Sequence, residues 1–142
     1  QKTFYVMEKE EKEVPPEVKK GFETIVRTVE ECRRAMKPGI QGLIVDQLAR
    51  QIVTEAGYEE FPHALGHQVG RFAHDGTALL GPTWEKYADK PLHPLEPGMV
   101  FTLEPRLTVP GRGVVTIEDM VVVTETGAEF LSHPQTELML IK

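Results

Sequence analysis

Apolar residues recur at Val18, Phe22, Ile25, Val29, Cys32 and Met36, in steps of 4, 3, 4, 3 and 4, which is the spacing of a single helix face. Pro15 and Pro16 stand at the start of this segment, where a missing backbone N–H costs a helix least, and Pro38-Gly39 stop it. A second helical face reads through Ile44, Leu48, Ile52 and Ala56 and stops at Gly57. The short connection predicts that the two helices lie side by side. Ahead of them, residues 3–7 are rich in strand formers and run into the charged stretch 8–13, a solvated turn or edge.

From Tyr58 onward the texture changes to short apolar runs between Gly and Pro. Residues 77–97 are rich in proline and predict a long ordered loop carrying Trp84 and Tyr87. Residues 99–107 and 113–124 predict strands, and the run Val121-Val122-Val123 predicts burial on both faces. Thr126-Gly127 reads as a hairpin turn returning through residues 129–132. The expectation is an α+β fold with helices on one side of a mostly antiparallel, curved sheet.

A length of 142 residues suits one domain, and 40% hydrophobic with 27% charged residues is the balance of a globular chain rather than a disordered one. No apolar run approaches the ~20 residues that a helical membrane span needs. With 16 Lys and Arg against 22 Asp and Glu, the net charge is -6, and no basic block exists to neutralise a phosphate backbone. Nucleic acid and membrane are therefore not expected as partners. The lone Cys32 has no intramolecular partner and suits a reducing cytoplasm, and the sequence carries no signal-peptide pattern. Because the first residues already read as a strand, the expectation is a single partial domain over 1–142.

Chemistry concentrates in Pro62-His63-Ala64-Leu65-Gly66-His67-Gln68-Val69-Gly70, with His74-Asp75 close behind, so three of the five histidines fall within 12 positions. Pro62, Gly66 and Gly70 argue for an extended segment rather than a helix, and the helical zinc pattern His-Glu-x-x-His is absent. Two glutamates, Glu104 and Glu118, lie inside otherwise apolar strand candidates. A carboxylate in such a run is costly to bury alone, so each should face solvent, pair with a cation or bind a metal. With His67 they offer one imidazole and two carboxylates, a set suited to manganese, cobalt or zinc. By residue type alone the plainer readings stay open: surface or core histidines, glutamates at strand edges, Trp84 and Tyr87 as packing residues, and Cys32 as a structural thiol.

The order of motifs carries more information than any one residue. Pro62-His63-x-x-Gly66-His67-x-x-Gly70 and His74-Asp75 are followed by Leu95-x-Pro97-Gly98-Met99-Val100-Phe101-Thr102-Leu103-Glu104-Pro105. Ile117-Glu118-Asp119-x-Val121-x-Val123-Thr124-x-x-Gly127 comes last. This series resembles the C-terminal catalytic part of the pita-bread metallopeptidases, the family of aminopeptidase P, prolidase, methionine aminopeptidase and creatinase. Lys37-Pro38-Gly39 and Glu55-Ala56-Gly57-Tyr58 extend the resemblance over nearly the whole chain. It implies a pita-bread fold and a pair of divalent ions, manganese or cobalt with zinc as a further option. Those ions would activate a water against a peptide bond. By the same resemblance His67, Glu104 and Glu118 are metal ligands, Glu118 bridging both ions, and His63 and His74 contact the substrate and stabilise or protonate the reacting group.

The family's site has five protein ligands, two of them aspartates that match none of Asp46, Asp75, Asp89 or Asp119. The chain by itself is therefore expected to hold an incomplete site with little or no activity. Thr116, where many aminopeptidase P-like members have arginine, is a departure that leaves the exact peptide specificity open, whereas His74-Asp75-Gly76-Thr77, unlike the methionine aminopeptidase pattern, favours the Xaa-Pro branch. The resemblance also implies a peptide substrate and a homodimeric parent enzyme. The rival readings are a creatinase-like hydrolase working without metal and a non-catalytic pita-bread module that binds peptides or proteins.

Overall fold

The computed structural model describes residues 1–142. The chain runs β1 (Phe4–Val6), α1 (Pro16–Ala35), α2 (Gly42–Glu55), β2 (Gly66–Val69), β3 (Leu79–Leu80), β4 (Val100–Leu103) and β5 (Arg106–Val109), then β6 (Gly113–Thr116), β7 (Asp119–Val123), β8 (Ala128–Phe130) and β9 (Met139–Ile141). An antiparallel sheet of five strands in the order β3-β2-β4-β7-β8 forms the centre, beside an antiparallel pair β5-β6 and a parallel pair β1-β9. The α+β architecture with mostly antiparallel pairing is as expected.

Helix α1 follows its sequence pattern: Val18, Phe22, Ile25, Val29 and Cys32 are buried, and Met36 caps the row just beyond the helix. It packs on β4, β5, β6 and β8, with Phe101, Leu103, Leu107, Val109, Val115 and Val121 across from it in one core. Helix α2 is a correction. Its buried face is Val45, Asp46, Ala49, Arg50, Ile52 and Val53, whereas Ile44 is 46% exposed. Of the apolar residues chosen from the sequence, Ile52 lies on the true stripe and Leu48 is half-buried beside it, but Ile44 lies off it, because that stripe contains a charged pair. Each partner neutralises the other, so Asp46 and Arg50 enter the core together.

Each of the two long strand candidates divides in two. Residues 99–107 break at Glu104-Pro105 and residues 113–124 at Ile117-Glu118. The pairs Leu103↔Asp119 and Arg106↔Thr116 on either side keep one register, so across the gap Glu104 faces Glu118 and Pro105 faces Ile117. Proline explains the interruption: Pro105 has no N–H to give its partner strand. Within β7, Val121 and Val123 are buried but Val122 is only half-buried, so the valine run is covered more on one face than on the other. The proline-rich loop contains β3 and two short 3-10 turns, Glu85–Tyr87 and Lys90–Leu92. The β7–β8 hairpin turns through Thr124 and Gly127 as anticipated, while β9 had no counterpart in the sequence reading.

Candidate metal centre

The broken hairpin and strand β2 together build the site. At the gap the Glu104 N–H turns outward to the Leu65 carbonyl at 2.8 Å, and the Glu118 N–H turns outward to the Gln1 carbonyl at 3.3 Å. Glu104 and Glu118 are thus a facing pair without mutual backbone hydrogen bonds, the arrangement that brings opposite side chains closest in an antiparallel sheet. The neighbours point the other way. Asp119 lies on the core side, where its Oδ1 accepts from Lys2 Nζ at 2.7 Å and from Ser132 Oγ at 2.8 Å, while its buried Oδ2 has no partner.

Strand β2 runs antiparallel to β4 and sets His67 opposite Thr102. Gly66 permits this approach: a Cβ there would lie 1.8 Å from the Thr102 carbonyl oxygen. The Thr102 hydroxyl accepts the His67 N–H at 3.0 Å and donates to Glu104 Oε1 at 3.0 Å. Thr102 is a buried link between two of the expected ligand positions that the sequence reading did not single out. The signal was there, because residues two apart on a strand share a face.

The outcome is a cluster. One ligand atom each from His67, Glu104 and Glu118 lies within 4.8 Å of the others, and His67 Nε2 stands 3.5 Å from Glu104 Oε1. All three residues are half-buried, and no Lys or Arg forms an ion pair with either glutamate. Two carboxylates facing each other beside an imidazole, without a cationic side chain, are a donor set that fits a divalent ion. His74 stacks against His67 with ring centroids 4.1 Å apart. His63 stands apart from the trio: its Nδ1 lies 2.8 Å from the Ala64 carbonyl, which places the proton on Nδ1, and its ring meets Phe61 at 5.3 Å. None of Asp46, Asp75, Asp89 and Asp119 joins the cluster.

A cleft of about 210 Å³ opens beside the cluster, lined by His67, His74, Lys86, Tyr87 and Lys90 among others. Trp84 and Tyr87, read from sequence as loop residues, stack at 5.7 Å, and the Tyr87 hydroxyl accepts the Ala64 N–H at 3.1 Å.

The sequence model of metallopeptidase family M24 matches residues 2–125. The Xaa-Pro dipeptidase of Pyrococcus furiosus is 35% identical over 119 residues, covering 83% of this chain and 32% of that protein. Among solved structures, a dipeptidase from Pyrococcus horikoshii superposes with a TM-score of 0.77 at 34% identity, covering 91% of this chain and 34% of that one. The methionine aminopeptidase of Rickettsia prowazekii shares the fold, with a TM-score of 0.67 at 18% identity over 83% of this chain and 53% of that one. The chain spans 32% of the length of the Pyrococcus furiosus relative. It has the pita-bread fold of these peptidases and belongs to metallopeptidase family M24.

Proposed function

We propose that residues 1–142 form part of the catalytic domain of an Xaa-Pro peptidase. The parent enzyme would hydrolyse the N-terminal peptide bond of short peptides ending in, or continuing from, Xaa-Pro. The single observation that carries this reading is the facing pair Glu104 and Glu118 with His67 beside it and no cationic side chain among them. A relative named as an Xaa-Pro dipeptidase, 35% identical, supports the choice of substrate.

In this reading His67, Glu104 and Glu118 would hold divalent metal, manganese or cobalt before zinc. When bound, the metal supplies Lewis acidity and a water activated at neutral pH. The chain's own residues do the rest. His74, packed on His67 but outside the ligand set, is the imidazole placed to pass a proton to or from the reacting group. His63, with Nδ1 engaged by a carbonyl, offers Nε2 to the substrate. Lys86 and Lys90 bring positive charge to the cleft wall, which suits a short peptide with a free carboxylate. The two aspartate ligands implied by the family resemblance lie outside these residues, so the chain alone is expected to bind metal weakly and hydrolyse little. A homodimeric parent enzyme in the cytoplasm completes the reading, the compartment resting on the single buried thiol of Cys32.

Calorimetric titration with manganese and then cobalt tests this, on the chain alone and on a form extended to the full length of its relatives. Both forms are assayed against an Xaa-Pro dipeptide. Two bound ions and cleavage only in the extended form are the expected result. A failure of both forms to bind metal and to cleave would overturn it in favour of a peptide-binding module.

A further inference from the structure

The backbone of residues 61–65, which leads into His67, is held by side chains that the proposed reaction does not use. Arg50 Nη2 donates to the His63 carbonyl at 2.7 Å and Nη1 to the Phe61 carbonyl at 2.9 Å. Asp46 Oδ1 accepts the Leu65 N–H at 2.9 Å, and the Tyr87 hydroxyl accepts the Ala64 N–H at 3.1 Å. Three consecutive residues, His63, Ala64 and Leu65, therefore each have one backbone group fixed by a different side chain. Asp46 and Arg50 are joined by Nε to Oδ2 at 2.7 Å and Nη2 to Oδ1 at 3.3 Å, with residue exposures of 0% and 7%. The guanidinium lies between the rings of Phe61, at 4.5 Å, and Trp84, at 5.2 Å.

A buried ion pair is a poor device for stability alone, since well-packed apolar residues of similar size serve as well or better. Apolar residues cannot, however, hold two carbonyls and an N–H in fixed directions. The pair can: the planar fork of Arg50 aims several donors at the two carbonyls, and Asp46 supplies the acceptor for the N–H. The fixed segment sits at a sensitive place. The Leu65 carbonyl receives the Glu104 N–H at 2.8 Å, and β2 begins at the next residue. The direction of residues 63–65 therefore sets both the His63 ring and the spacing of His67 from Glu104.

We propose that Asp46, Arg50 and Tyr87 are positioning residues that hold residues 63–65 so that His63 Nε2 and the His67–Glu104–Glu118 trio keep one geometry. The metal half of this statement rests on the reading of the trio given above; the His63 half does not.

The test is made on the whole chain with Arg50→Lys, which keeps a charge beside Asp46 but loses the fork, and with Tyr87→Phe, which removes only the Ala64 bond. A core control, Ile25→Ala, loses stability on α1 without removing any hydrogen bond to the segment. Cobalt binding is followed by its visible absorption, and the His63 ring by long-range proton–nitrogen NMR. Arg50→Lys is expected to weaken cobalt binding about tenfold, in the range typical of groups that orient metal ligands. Tyr87→Phe is expected to weaken it about threefold, the scale of one neutral hydrogen bond. The control should stay within about twofold, because it removes no hydrogen bond that holds residues 63–65. The His63 spectrum should pass from a fixed Nδ1–H tautomer to an averaged one in both site variants only. If Ile25→Ala weakens cobalt binding as much as Arg50→Lys, or if both site variants leave the His63 spectrum unchanged, the positioning role is overturned. Should the unaltered chain take up no cobalt, the His63 spectra alone decide the positioning role. If Arg50→Lys does not fold, Tyr87→Phe decides it.

Discussion

Asp46 and Glu118 are both carboxylates drawn away from bulk water, and the fold treats them in opposite ways. Asp46 is sealed in α2 with an arginine one turn along, and between them the two side chains bind the Phe61 and His63 carbonyls and the Leu65 N–H. Glu118 stands half-buried across from Glu104, with His67 nearby and no lysine or arginine paired to it. In the first region the compensating charge is part of the sequence and the result is rigid. In the second, negative charge is set against negative charge, a geometry that disfavours the folded chain until a cation arrives. The difference separates a carboxylate neutralised from within the chain from one that no lysine or arginine of the chain pairs with.

The contrast can be broken most forcefully at its sealed end. Replacing Arg50 by Met leaves Asp46 buried without its counter-charge and is expected to cost ~3–5 kcal/mol in urea denaturation. At the open end, metal at a hundred times its dissociation constant should add about 2.7 kcal/mol to the stability of the unaltered chain. Glu118→Gln should remove that gain, as read from thermal melts with and without manganese. Without metal the same Glu118→Gln should stabilise the chain by ~0.2–1 kcal/mol, because a like-charge facing pair is relieved. A loss of stability in the metal-free variant would contradict the account of the site.

The smallest effect lies in pH dependence, where two helical carboxylate–arginine pairs diverge. Burial pushes the Asp46 carboxyl above its ordinary value of 3.8, outweighing the opposing pull of Arg50 and the Leu65 N–H. Glu30, hydrogen-bonded by Arg33, is held below its ordinary value of 4.5. A raised native value means that the folded state keeps a proton which the unfolded chain has released. The Asp46 share of stability is thus present below 3.8 and lost as pH rises through the native value. For Glu30 the share is present above 4.5 and lost as pH falls through its lower native value. Urea midpoints measured against pH should show Glu30→Gln flattening the acid-side fall and Asp46→Asn flattening the decline just above 3.8.

Much of this was legible in the sequence where period and chemistry agreed. The α1 stripe was readable because its buried row is apolar throughout, apart from small threonines, and Glu104 and Glu118 stood out because charge is foreign to apolar strands. The α2 stripe was misjudged because its inward face carries Asp46 and Arg50, and a hydrophobicity count assigns such residues to water. Their pairing appears only when the 61–65 backbone is folded against them. The strand breaks had a local signal in Pro105, but that the register survives the gap and sets the two glutamates face to face is a property of the whole hairpin. Thr102 was missed for a similar reason: its hydroxyl gains meaning only when β2 brings the His67 N–H to it.

Gly66 also has a consequence in genetic terms. Every residue other than glycine carries a Cβ, and at this position that atom would fall 1.8 Å from the backbone oxygen of Thr102. No missense change in codon 66 is therefore mild. The codon should accept only silent substitutions, and any replacement should force β2 away from β4 and His67 away from Glu104. A residue with no side chain and no chemistry of its own thereby becomes one of the least mutable positions in the gene.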